Sequence, residues 1–134
     1  MSLDSKLPPI TYSVDTTQGI IFETWHGDVT ASDLSYYWRR YLADPQVLAI
    51  RRTVVDLRYG NLLFTGEEME SLIASIVIPT LNGLDWTTAI VVDRPDQFGV
   101  SRQYQVFAER YSKDCIFPDS ESALNWLRST VHPE

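Results

Sequence analysis

Cysteine is all but missing from this 134-residue chain: Cys115 is the single one, so no internal disulfide can form. It stands in the short apolar run "CIF", where a free thiol packs as a small hydrophobe. A nucleophilic cysteine needs a base beside it, and histidine is nearly as scarce. His26 falls in the turn-like "WHGD" and His132 lies in the C-terminal tail, so neither is assigned to Cys115. Basic side chains are also short, 11 against 18 acidic ones, for a formal net charge of -7. That balance excludes a broad nucleic-acid surface, which needs a basic face. The doublets Arg39-Arg40 and Arg51-Arg52 read as solvated helix and strand ends. No apolar run approaches the roughly 18 to 20 residues of a membrane span, and nothing resembles a signal peptide. A protein that does not span the membrane, in a reducing cytoplasmic setting, is the expectation. Glycine-rich phosphate loops, zinc-ligand spacing and a serine–base–acid signature are absent as well, so no catalytic residue, metal or cofactor is expected.

What is present is the composition of one packed domain. Hydrophobic residues make up 44% and charged residues 22%, which leaves too much apolar material and too little charge for disorder. A single domain is expected over residues 9–131, with flexible tails at 1–8 and 132–134. After Pro8-Pro9, "ITYSV" alternates as a half-buried strand, "DTTQG" makes a turn in which Gly19 can take positive φ, and "IIFETW" returns as a second strand. Thr30 and Asp33 form a capping box before a helix whose apolar face is Leu34, Tyr37, Trp38, Tyr41 and Leu42, ended near Asp44-Pro45.

The β-branched "RTVVDL" is the third strand, and a loop carries it to a helix over about 66–78 with Met69, Leu72, Ile73, Ile76 and Val77 on one face. "TTAIVVD" is a nearly continuous apolar strand, expected to be covered on both sides. A third helix presents Val100, Tyr104, Phe107, Ala108 and Tyr111, and "CIF" is a short fifth strand. Asp119 or Ser120 then caps a last helix with Ala123, Leu124, Leu127 and Val131 inward. The order β-β-α-β-α-β-α-β-α predicts an α/β fold: a mixed sheet, parallel apart from its opening hairpin, with about four helices packed on it.

That order resembles the STAS domains, the fold shared by anti-sigma-factor antagonists and the cytoplasmic parts of sulphate transporters. More specifically it is similar to their SpoIIAA-like branch of small stand-alone bacterial proteins. The resemblance rests on "TVVDL" leading into "FTGEEMESL", on "AIVVDRPDQF" leading into a helix, and on the ending "IFPDSESALNWL". It implies a regulatory, protein-interaction module rather than an enzyme. In the antagonists a serine at the start of the second helix is phosphorylated by a partner kinase, and the matching stretch here is Phe64-Thr65-Gly66.

Thr65 therefore has two readings. Phosphate there would sit beside Glu67, Glu68 and Glu70, with Arg58 the nearest basic residue in sequence, so repulsion offsets much of the helix-dipole benefit. Thr65-x-x-Glu68 is also a well-formed capping box, which accounts for every residue of the stretch. Asp56 with Arg58 and Asp93 with Arg94 are placed at the ends of the third and fourth strands, where an open α/β sheet puts polar ligands, though such residues also serve there as plain ion pairs and turn-formers. Tyr59, Leu62, Leu63, Phe64 and Gly66 form an apolar loop that reads as a docking patch or the lip of an apolar pocket, or else folds back onto the sheet. Two function classes follow: a module docking a protein partner or its own copy through 59–66 and the following helix, or a carrier or sensor of a small apolar, lipid-like ligand.

Overall fold

The computed structural model describes residues 8–130, so the expected tails apart from Pro8, together with Val131 and His132, lie outside the described residues. Five strands form one sheet in the order β1-β2-β3-β4-β5: β1 (Ile10–Asp15), β2 (Ile20–Thr30), β3 (Arg52–Leu63), β4 (Trp86–Val91) and β5 (Ser112–Phe117). β1 and β2 pair antiparallel across a turn that the Gly19 N–H closes on the Asp15 carbonyl at 2.9 Å, with Gly19 at φ 66 as expected. The remaining neighbours all pair parallel.

The helices are α1 (Ala31–Tyr41), α2 (Pro45–Ile50), α3 (Gly66–Leu72), a π-helical turn at Ile73–Val77, α4 (Ile78–Leu81), α5 (Pro95–Ala108) and α6 (Ser120–Ser129). Capping sets their starts. Thr30 accepts from the Asp33 N–H and Asp33 returns the bond to the Thr30 N–H; Asp119 accepts from Ser122. Asp44-Pro45 does stop the helix before it, which ends at Tyr41. The same two residues then act as cap and first residue of α2, a short helix the sequence pattern did not reveal.

The second expected helix is longer and less regular than read. Pro79 lacks an N–H and its ring crowds the carbonyl four residues earlier, so a regular α-helix could not pass through it. The wide π-helical turn just ahead takes up the misfit, and the helical path continues to Leu81.

Two further corrections concern strands. "WHGD" is not a turn: β2 runs through it to Thr30, with a register shift between Thr24 and His26 and Gly27 at φ 71. Nor does the third strand end at Asp56-Leu57. Residues 59–63 pair with His26–Thr30 in parallel register, so the expected loop is the far half of β3 and Asp56 lies mid-strand. β4 pairs with β3 only as far as Asp56, leaving the ends of β2 and β3 as a two-stranded ribbon projecting past the sheet.

Strand alternation divides the core. One face packs Ile20, Val54, Ala89 and Val91 against Ala123 and Leu127 of α6. The other turns Ile21, Trp25, Leu57 and Ile90 toward α1, α3, the π-helical turn and α5.

Candidate functional site

On that second face the packing is incomplete. A cavity of about 90 Å³ lies between sheet and helices, walled among others by Trp25 of β2, Leu57 of β3, Ile90 of β4, Trp38 of α1, Met69 of α3 and Tyr104 of α5. For scale, an engineered apolar cavity of roughly 150 Å³ holds benzene. Phe64, which joins β3 to α3, closes one side and packs its ring 6.2 Å from that of Trp25.

The wall contains one buried acid. Period two along β2 puts Glu23 on the same face as Ile21 and Trp25, and it is only 5% exposed. Its carboxylate accepts from Trp25 Nε1 at 2.7 Å and from the Tyr37 hydroxyl at 2.8 Å. Burial pushes its pKa up to about 7, and the two donors only moderate the rise. Burial first, and then the nearby Glu23 charge, hold the Tyr37 and Tyr41 hydroxyls far above their ordinary range. The Tyr41 hydroxyl is partnered by Thr53 Oγ1 at 2.7 Å.

Other wall atoms have no partner among the described residues. Gln97 and Ser101 lie one turn apart on α5 and are 0% and 2% exposed, as deep as Ala108 on the expected apolar stripe. Gln97 is fully engaged: its amide nitrogen donates to Leu57 O at 2.7 Å and Gly60 O at 3.2 Å, and its oxygen accepts from the Asp93 N–H at 3.1 Å. Ser101 Oγ makes no hydrogen bond, and neither does Trp86 Nε1, although both residues line the cavity. Ser75 and Thr80 bond back to the carbonyl four residues earlier, an outlet Ser101 does not use. Trp86 also borders an outer, more polar cleft of about 820 Å³ along α5 and β5, which contains Asp114. Burial raises the Asp114 carboxyl to about 6; the Thr88 hydroxyl moderates the rise, yet no hydrogen bond of normal geometry reaches Oδ2.

The polar residues singled out in sequence fall on the side of the sheet where β3 and β4 part, and there the Arg58 guanidinium feels both Asp56 and Asp93. Asp56 pairs with Arg58 at 2.9 Å, and Arg58 also donates to Ser120 Oγ and lies over the Tyr59 ring. Bonding to Asp56 strengthens the hold of Arg58 on its proton. Arg94 donates to Gly60 O at 2.6 Å and pairs with Asp96, while Asp93 is exposed. Both guanidiniums are thus engaged by the protein itself.

Thr65 caps α3 as a full capping box, accepting from the Glu68 N–H at 3.0 Å while Glu68 accepts from the Thr65 N–H at 2.8 Å. Gly66 opens the helix with a β-carbon position against the Gln103 amide. Tyr59 and Leu63 stand out on one side of the ribbon, 63% and 54% exposed, whereas Leu62 and Phe64 turn inward onto the core. Cys115 is half-buried, and burial raises its thiol pKa. Among the described residues no three metal-ligating side chains gather into a candidate site, and no helix is long and apolar enough to cross a membrane.

Glu23, Trp86, Ser101 and Asp114 were missed in sequence because polar side chains were not sought on inward stripes. The signals existed: Glu23 alternates with Ile21 and Trp25, and Ser101 continues the 104–108 face at helical spacing.

No known family profile matches the chain, and no curated protein matches it. Among solved structures it is similar to an uncharacterized protein from the DUF3478 family with a SpoIIAA-like fold, from Shewanella loihica PV-4. The two superpose with a TM-score of 0.63 at 17% sequence identity, over 94% of this chain and 99% of that one. At such identity the likeness speaks for the backbone. The fold is SpoIIAA-like, of the STAS type that the order of elements implied.

Proposed function

We propose that the protein is a non-catalytic, STAS-type binding module that holds a small, largely apolar molecule between its sheet and helices α1, α3 and α5, as a sensor or carrier. The observation supporting this is a void lined by Ser101 and Trp86, whose buried Oγ and Nε1 find no partner among the described residues. A buried unpaired polar group costs about 1–3 kcal/mol, whereas alanine at 101 would leave no such debt. A bound molecule that meets these atoms offsets the cost. Expectation of a non-catalytic role is supported by the state of the acids: Glu23 is held by two donors and Asp56 by Arg58.

Xenon is small enough for the cavity and tests it directly. A saturable xenon shift in NMR of methyl groups lining the void, from Met69, Val77 and Leu81, is the expected result. Uniform, non-saturating shifts over the whole molecule would count against the cavity.

A second reading, docking of a protein partner or another copy through the ribbon, is favoured by exposed Tyr59 and Leu63. Light scattering over a concentration series separates the two. Self-association that disappears in Leu63→Asp favours docking, and a monomer retaining a small molecule in a native mass spectrum favours the cavity.

A further inference from the structure

We infer that the group recognised at this site is a neutral hydroxyl, so that the ligand is a short alkyl alcohol or an equally small apolar molecule bearing one hydroxyl. Its tail lies in the inner cavity and its head at Trp86, which lines both the cavity and the outer cleft. This rests on the cavity reading above and adds the chemistry of the head group.

Among the described residues, five buried side-chain nitrogen or oxygen atoms lack a hydrogen-bond partner. Two are the Nε atoms of Arg51 and Arg52, and Arg52 is engaged through its terminal nitrogen with Leu127 O and Thr130. The other three are Trp86 Nε1, Ser101 Oγ and Asp114 Oδ2, and all belong to one side of the sheet. In the β4–β5 register Trp86 pairs with Ser112 and Thr88 with Asp114, so Trp86 and Asp114 are close neighbours on the face that α5 covers. Ser101 reaches that region from α5. Trp86 lines both spaces, Ser101 the inner one and Asp114 the outer one.

Their hydrogen-bonding capacities select the ligand. Indole Nε1 only donates, an ionised carboxylate only accepts, and a serine hydroxyl does either. With a pKa of about 6, Asp114 is mainly ionised at neutral pH, and its Oδ1 already accepts from Ser112. A group that satisfies Trp86 must accept, and one that satisfies Asp114 must donate. A hydroxyl does both. An ammonium leaves Trp86 unmet, and a ketone leaves Asp114 unmet. A carboxylate brings a second negative charge beside Asp114, in a chain whose formal charge is already -7. Size limits the tail: scaled from the cavity that admits benzene, about 90 Å³ takes roughly four carbons.

The test is a titration of the full-length protein with butan-1-ol, butane, butylammonium and butyrate, followed by the indole N–H resonance of Trp86, assigned with Trp86→Phe. Butan-1-ol should bind saturably and about tenfold tighter than butane, the factor expected for one good hydrogen bond. Butylammonium and butyrate should bind no better than butane. Ser101→Ala should lose most of the alcohol's advantage over butane measured in the same variant, and Asp114→Asn serves as a second variant with the same expected direction. If butane and xenon bind but butan-1-ol binds no tighter, or Ser101→Ala and Asp114→Asn both keep its full advantage, the hydroxyl assignment fails and the cavity reading survives. If neither xenon nor butane nor butan-1-ol saturates, both fail.

Discussion

Glu23 is an acid with no cationic partner, 5% exposed in the middle of a sheet. Its pKa is near 4.5 in an unfolded chain and about 7 when folded. Below pH 4.5 both states carry the proton and the group imposes no penalty. Between 4.5 and 7 the unfolded chain releases its proton while the folded one keeps it, so stability falls as pH rises, by roughly 3 kcal/mol in all. Asp114 acts in the same direction over a lower range, whereas Asp15, Asp44 and Asp119, held low chiefly by hydrogen bonds, act oppositely in acid. Urea unfolding at pH 5 and pH 7.5 should show the native protein weaker at the higher pH, with much of the difference gone in Glu23→Gln. Equal slopes for the two proteins would mean that Glu23 is already ionised when buried. Thr65 is the contrasting residue, at the surface and fully explained by its cap. Thr65→Ala should cost about 1 kcal/mol in the same assay, the usual loss for an N-cap.

At the scale of elements, the ribbon of β2 and β3 separates what the chain announces locally from what it does not. Residues 59–66 read as a loop because the β-branched run ends at Asp56-Leu57 and the next helix cap is Thr65. Only pairing with His26–Thr30 makes the stretch a strand, and no local pattern reports a parallel partner 33 residues away. The same holds for the π-helical turn, which answers Pro79 but is invisible to a face of Met69, Ile73 and Val77 that suits a plain helix. Capping boxes and apolar stripes were legible because their partners lie within four residues. The ribbon also makes a prediction. Tyr59→Ser with Leu63→Ser should change stability by no more than about 0.5 kcal/mol, since both side chains face solvent. Phe64→Ala should cost roughly 2 kcal/mol, less than a fully buried phenylalanine, because its ring packs on Trp25 at the cavity wall. Denaturation midpoints of the two variants decide it, and equal losses would place Leu63 and Tyr59 in the core.

At the scale of the molecule, the two sides of the sheet do different work. Against α6 the residues at 0% exposure, Ala89, Val91, Ala123 and Leu127, close without a described void. Against α1, α3 and α5, larger and more aromatic side chains leave a gap, as rigid rings tile less readily than aliphatic chains. Adding apolar bulk should therefore have opposite consequences on the two sides. Ala123→Val pushes two methyl groups into a filled layer, for which overpacking costs about 1–3 kcal/mol. Val77→Ile extends one methylene from a 2% exposed residue at the cavity wall, and filling empty space there should be neutral or stabilising by up to about 0.8 kcal/mol. The urea midpoint should fall for Ala123→Val and hold or rise for Val77→Ile, and Val77→Ile should weaken xenon binding at the same time. Should both substitutions lower the midpoint equally with xenon uptake unchanged, the second face is as tightly packed as the first and holds no ligand.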